Sequence, residues 1–181
     1  EKCIGAEFTI SDIEKKEASR TPAAPFTTST LQQEASRKLR MSVSQTMSIA
    51  QKLYEHGLIT YMRTDSTNLS ALAINTAKSY ICDNYGEDYS KVRQYKTKAK
   101  GAQEAHEAIR PTYIENATIE GTPQEKKLYE LIWKRTVASQ MADARLMKTD
   151  IKVSSDKSEE KFNVQASEVL FDGFLKLYME S

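Results

Sequence analysis

Cysteine, proline, glycine, histidine and tryptophan are all scarce in this chain of 181 residues, at 2, 4, 6, 2 and 1 copies. Cys3 and Cys82 are far apart and form no CxxC or Cys/His spacing, so neither a disulfide framework nor a zinc site is expected. Two thiols point to a reducing compartment. His56 and His106 are too few for a metal cage. No uninterrupted apolar run approaches the ~18 residues of a membrane span, and no signal peptide opens the chain. P-loop, GxGxxG, HExxH and paired-carboxylate motifs are missing, which leaves the common hydrolase and nucleotide-binding readings with little support. Excess charge is missing too. Against 26 Lys+Arg stand 25 Asp+Glu, a net +1, and neutrality of this kind speaks against a nucleic-acid partner.

The average hides a pattern. Residues 31 to 100 hold 11 basic and 6 acidic side chains, an excess of five, whereas residues 1 to 30 and 151 to 181 are slightly acidic. A central basic block between acidic flanks is compatible with DNA, although such a block is more often just a solvated face. The chain also starts at Glu1, without Met and inside a strand-like pattern, and is expected to be a piece of a longer protein.

Ile4, Ala6, Phe8 and Ile10 alternate with Cys3, Gly5, Glu7 and Thr9, the period of a half-buried strand. Polar residues then lead to Pro22 and Pro25, a linker or hinge. Near the other end Met147, Thr149, Ile151 and Val153 alternate with lysines and Asp150, and after a polar turn Phe162, Val164 and Ala166 alternate again. A lone strand is unstable, so the first strand is expected to join the later ones in one sheet. The middle reads as mostly helical. Ser29 with Gln32 suggests a capping box for a helix to about Leu39. Ser44 can cap a helix with Val43, Met47, Ala50 and Tyr54 on one face, ended by Gly57. Leu58 to Met62 reads as a short strand. Ser70 caps a helix to about Asn84, with Ile74, Ala77 and Ile81 on one face and Gly86 past its end. Residues 87 to 112 read as a long loop, and Thr122, Pro123 and Glu125 open a helix to about Met141. The expected fold class is α+β: a mostly helical domain over residues 26–142, inserted into a discontinuous antiparallel β domain made of 1–25 and 143–181. The two helices from Thr30 onward, with the turn at Arg40 to Val43, have the outline of a helix-turn-helix of winged-helix character.

The segment GLITYMRTDSTNLS, Gly57 to Ser70, is where chemistry is concentrated. In an extended chain Tyr61 and Arg63 share a face, about 7 Å apart. A tyrosine hydroxyl can attack phosphorus and hold a covalent intermediate that conserves the energy of the broken ester. A free phenol has a pKa near 10, so only about one in a thousand is ionised at neutral pH. A neighbouring cation favours the phenolate and neutralises charge on the phosphoryl oxygens. Tyrosine supplies 9 of the chain's aromatic residues, and for any one of them packing with a wet hydroxyl is the commoner role.

GLITYMRTDS resembles the active-site motif of type IA DNA topoisomerases. PFTTSTLQQEASRKL, QKLYEHG, QEAHEAIRPT and KLYELIWKRTVASQM, from Pro25, Gln51, Gln103 and Lys127, resemble further segments of that family in the same order, and FDGF from Phe171 resembles the strand pattern that follows. Coverage is nearly the whole chain. Met62 and the STLQQEAS and QEAHEAIRP wording are most similar to the bacterial topoisomerase I branch; Leu58 departs from the aromatic often found there and should be tolerated on an apolar strand.

The resemblance implies that Tyr61 is the nucleophile, forming a 5′-phosphotyrosyl link to one DNA strand, and that Arg63 contacts the scissile phosphate; the alternative for Arg63 is a salt bridge with Asp65 or Glu55. It implies that His106 helps to position DNA phosphate. Asp65 and Thr60 flank the nucleophile and are expected to hold the loop by local hydrogen bonds. Gln51 and Glu55 share a helix face beside the site. Arg110 is either a phosphate contact or a partner for nearby acids. The implied parent is a monomeric, cytoplasmic, nucleoid-associated bacterial enzyme that relaxes negatively supercoiled DNA, with single-stranded or underwound DNA as its partner. Its Mg2+ would be bound by a toprim domain absent here, so this chain would be catalytically incomplete alone. The competing readings are a noncatalytic winged-helix DNA-binding module and a structural domain in which Tyr61 is buried.

Overall fold

The computed structural model describes residues 4–95 and 106–179. Cys3 of the expected first strand and residues 103–105 of the QEAHEAIRPT segment lie outside them. Among the described residues the chain forms an α+β fold of four α-helices and a three-stranded antiparallel sheet, with two short 3-10 turns. It divides into two compact units, one of residues 1–21 with 143–173, the other of residues 22–142 with 174–181.

The first unit is the sheet, in the order β1 (Phe8–Arg20), β2 (Ala144–Ser155), β3 (Ser158–Phe171). The first strand starts later and runs much further than its apolar alternation, because residues 11 to 20 are mostly polar and become a strand only by pairing with β2, from Asp12 opposite Lys152 to Arg20 opposite Ala144. Local pattern cannot announce such a strand; its hydrogen bonds come from a partner more than a hundred residues away. A bulge at Ser11 puts Ile10 opposite Val153 and Ile13 opposite Ile151, so two apolar residues three apart reach the same face. On β3, Phe162 lies opposite Val153 and Val164 opposite Ile151. Phe8 meets Phe162 edge to face at 5.7 Å. The half-buried strand expected here is instead exposed, Ile10 at 57% and Ile13 at 52%, since within this unit the sheet is a single layer.

The second unit holds α1 (Thr28–Leu39), α2 (Val43–Glu55), α3 (Ala71–Tyr85) and α4 (Pro123–Ser139). Two helix starts are those the sequence marks. Ser70 accepts from the amide of Ala73, and Thr122 with Glu125 forms a capping box followed by Pro123. Two shift by two residues. The capping box of α1 is Thr27 with Thr30, not Ser29 with Gln32, and α2 is capped by Ser42, not Ser44. The short strand expected at Leu58 to Met62 is not formed; the segment is a loop that touches its neighbour through a single bridge, Ile59 to Pro111. The buried face of α2 is Thr46, Ile49, Ala50 and Leu53, leaving Val43 and Tyr54 exposed at 56% and 42%.

Helices α1, α2 and α4 pack on one another around Phe26, Leu31, Ala35, Leu53, Leu128 and Ile132, all at or near zero exposure. The end of the chain completes this core. Phe174 and Tyr178, expected to belong with the sheet, are buried in the helical unit. The Tyr178 hydroxyl donates to Glu34 at 2.9 Å, and Lys38 lies over its ring at 4.2 Å. Burial pushes the Glu34 carboxyl up, but the bonds from Tyr178 and Arg37 and the Lys38 charge outweigh it and hold it below the ordinary carboxylate range.

Candidate active site

The loop after α2 begins with a tight reversal. The amide of Gly57 donates to the carbonyl of Tyr54 at 2.8 Å, and that of Leu58 to Leu53 at 2.9 Å. Gly57 has φ +71°, a conformation that costs a glycine little. From Tyr61 to Ser66 burial alternates residue by residue although no ladder forms. Ile59, Met62, Thr64 and Ser66 face inward, whereas Tyr61, Arg63 and Asp65 face outward. A strand's period is therefore present from Tyr61 on, set by side-chain burial and by neighbours that grip the backbone one residue at a time.

Two neighbours do the gripping. On one side lies the segment 106–112. The Thr60 hydroxyl donates to the carbonyl of Ala108 at 2.6 Å and accepts from the amide of Arg110 at 2.9 Å, while the Thr60 amide donates to the Arg110 carbonyl at 2.9 Å. The amide of Thr112 returns a bond to Leu58 at 3.0 Å. On the other side is the first turn of α1. The Thr28 hydroxyl donates to the carbonyl of Met62 at 2.8 Å and accepts from the amide of Thr64 at 2.9 Å, and the Thr28 amide donates to the Thr64 carbonyl at 2.9 Å. Tyr61 and Arg63 thus stand on a backbone fixed immediately before, between and after them, with Met62, 4% exposed, as the plug beneath.

Tyr61 is 45% exposed, and its ring meets that of Tyr54 edge to face, centroids 5.2 Å apart at 66°. It is not the buried structural tyrosine of the competing reading. Arg63 is exposed and forms no ion pair or hydrogen bond among the described residues, so the salt bridge to Asp65 or Glu55 is not made. Asp65 likewise holds nothing with its side chain among the described residues; Thr60 and Thr28 do that work. The amide of Ser66 is taken by Thr64. Gln51 and Glu55 are exposed and bond to each other at 2.9 Å.

Arg110 is committed to an acid. It pairs with Glu107 at 2.7 Å, and its guanidinium also donates to the carbonyl of Pro111. Glu107 in turn accepts from the amide of Ser70, the cap of α3, at 2.7 Å. Burial pushes the Glu107 carboxyl up, and the Arg110 and Ser70 bonds more than offset it, leaving the group below its ordinary value. His106 is exposed two residues before Ala108, on the segment that grips Thr60. Sequence reasoning missed Thr28, Tyr54 and Glu107. Only Tyr54 left a signal: an aromatic near the helix end, seven residues before Tyr61.

A solvent-facing phenol and a guanidinium unpaired among the described residues thus stand on one loop, two residues apart. The chain belongs to the DNA topoisomerase family, of the bacterial topoisomerase I type: the family model described as DNA topoisomerase matches residues 1–181. Among individual proteins, it is 50% identical over 190 residues to the prokaryotic-type DNA topoisomerase 1 of Acanthamoeba polyphaga mimivirus, covering 99% of this chain and 22% of the relative. It is 51% identical over 191 residues to DNA topoisomerase 1 of Mycolicibacterium smegmatis, covering 98% and 20%. Its fold is similar to full-length topoisomerase I from Thermotoga maritima, with TM-score 0.82 and 39% identity over 94% of this chain and 29% of that one. The chain thus spans about a fifth of the length of the curated relatives it matches. No described helix is long and apolar enough to cross a membrane.

Proposed function

We propose that this chain carries the nucleophile of a type IA DNA topoisomerase, and that Tyr61 attacks a phosphodiester of single-stranded or underwound DNA. The phenol oxygen bonds to phosphorus and the ester to the 3′ oxygen breaks. The phenol's proton is lost to a base or solvent, and the leaving oxygen takes one up to become a 3′ hydroxyl. The result is a 5′-phosphotyrosyl link that keeps the energy of the ester. After another strand has passed, the 3′ hydroxyl attacks the same phosphorus and releases Tyr61, so that negative supercoils are relaxed without ATP. Arg63 neutralises the charge that builds on the non-bridging oxygens, and His106 helps to place the phosphate. Arg110 acts indirectly, through Glu107 and the 106–112 segment.

The observation that carries this reading is the exposure of Tyr61 two residues from an Arg63 that is unpaired among the described residues, on a loop gripped at residues 60, 62 and 64. The helix–turn–helix of α1 and α2, with Arg40 in a left-handed conformation at φ 56°, is proposed as a DNA-facing element of winged-helix character. The family's magnesium would be held by a toprim domain outside this chain. Among the described residues no group of three or more His, Cys, Asp or Glu side chains forms a metal ligand set. The described residues therefore do not fit the ion on their own, and the proposal is that cleavage needs the rest of the parent enzyme.

The test uses the full-length parent enzyme with single-stranded DNA and magnesium, quenched by denaturant. A covalent protein–DNA adduct is expected, and Tyr61→Phe abolishes it. An undiminished adduct in that variant overturns the assignment of Tyr61 as nucleophile, whereas a wild-type parent that forms no adduct favours a noncatalytic DNA-binding module.

A further inference from the structure

The proposed nucleophile is more than two-fifths exposed and sits on a loop, a setting in which a tyrosine ring ordinarily samples several rotamers. Productive attack needs one of them, because in-line displacement tolerates little error in the position of the attacking oxygen. The backbone grips at Thr60, Met62 and Thr64 fix where the side chain starts, not where it ends.

One neighbour meets the ring. Tyr54 is the penultimate residue of α2, a helix anchored by Ile49, Ala50 and Leu53, so it stands on a packed element. The turn between the two tyrosines is closed by the bonds from Gly57 to Tyr54 and from Leu58 to Leu53. A centroid separation of 5.2 Å at 66° is within the favourable range for an edge-to-face pair. Tyr54 itself is 42% exposed, more than the core of the unit requires. It lies outside the buried face of α2, and its ring meets that of Tyr61.

Resting on the assignment of Tyr61 as nucleophile, we infer that Tyr54 is a positioning residue, an aromatic wall that selects the Tyr61 rotamer from which attack occurs. The role belongs to the ring, not the hydroxyl. Loss of the wall lowers the rate of strand cleavage without weakening DNA binding, because the contact acts on the orientation of Tyr61 and not on the nucleic acid.

Single-turnover cleavage of a saturating single-stranded oligonucleotide by the full-length parent, with affinity measured separately, tests this. Tyr54→Leu is expected to cleave about two- to tenfold more slowly, as the loss of one aromatic pair implies, with oligonucleotide affinity and thermal midpoint unchanged. Tyr54→Phe restores the rate. Tyr54→Met is the second variant if Tyr54→Leu does not fold, with the same slowing expected. Wild-type cleavage in Tyr54→Leu or Tyr54→Met, or a Tyr54→Phe as slow as either, overturns the positioning role. A Tyr61→Phe control separates the two claims: if it still forms adduct, the nucleophile assignment fails and takes this inference with it. If it forms none while Tyr54→Leu cleaves normally, the positioning role alone fails.

Discussion

The hydroxyl of Thr28 and the carbonyl of Met62 are joined at 2.8 Å, across 34 residues of sequence. The same oxygen accepts from the amide of Thr64, so one side chain serves both backbone groups that flank Arg63. Thr28→Val, which keeps the shape, leaves a half-buried carbonyl and amide without a partner. The expected loss is about 1–3 kcal/mol in equilibrium urea unfolding, together with slower adduct formation in the parent enzyme. Thr28→Ser should keep most of both.

Arg63 gives the opposite separation of stability from activity. Its side chain is exposed and pairs with nothing among the described residues, so Arg63→Ala should move the unfolding midpoint by no more than about 0.5 kcal/mol. Cleavage should fall by about a hundredfold, the usual scale for removing a group that stabilises developing charge. Single-turnover cleavage beside thermal unfolding of the same preparation reads both. Wild-type cleavage with unchanged salt dependence would remove Arg63 from the site.

Glu107 links the loop to acid stability. Its carboxyl is held below the ordinary value of 4.5 in the folded state, so it binds its proton less readily folded than unfolded. The stabilisation is complete above about that pH and is lost as pH falls through the lower, folded value. Glu107→Gln should cost about 1–2 kcal/mol at neutral pH, and the gap to wild type should close in acid. Unfolding curves across that range decide it; a gap independent of pH would mean that the Arg110 pair contributes nothing.

At the other end of the helical unit Tyr178→Phe deletes the donor to Glu34 and leaves a buried carboxylate with fewer bonds. A loss of about 1–2 kcal/mol is expected. The Glu34 carboxyl should also titrate at a higher pH than in wild type, which carboxyl-resolved NMR can follow.

Most of the helical unit was legible because helix signals are local. Ser70, Thr122, Pro123 and Glu125 lie within a few residues of the ends they mark. The two misplaced caps fall in runs where several hydroxyl residues compete, Thr27 to Thr30 and Ser42 to Ser44, and only the fold chooses among them. The sheet was half legible. Its apolar stretches announced themselves, but residues 11 to 20 of β1 are strand only because β2 lies beside them. The strand expected at Leu58 to Met62 failed for the converse reason: it has no ladder to join and meets its neighbour through one bridge, Ile59 to Pro111. In the site, the motif pointed to Tyr61 and Arg63, while Thr28 and Glu107, which hold that loop and its neighbour, belong to elements remote in sequence and carry no pattern of their own.

The burial of Phe174 and Tyr178 in the helical unit has a consequence for synthesis. These residues follow both C-terminal strands, and the bond from Tyr178 to Glu34 closes a loop of 144 residues. During synthesis α1 emerges with its acid exposed and waits for the segment that carries Tyr178, 144 residues further on, to complete its surroundings. Until then the helices can form but their shared core lacks its final side chains, a window in which a nascent chain is exposed to chaperones and proteases.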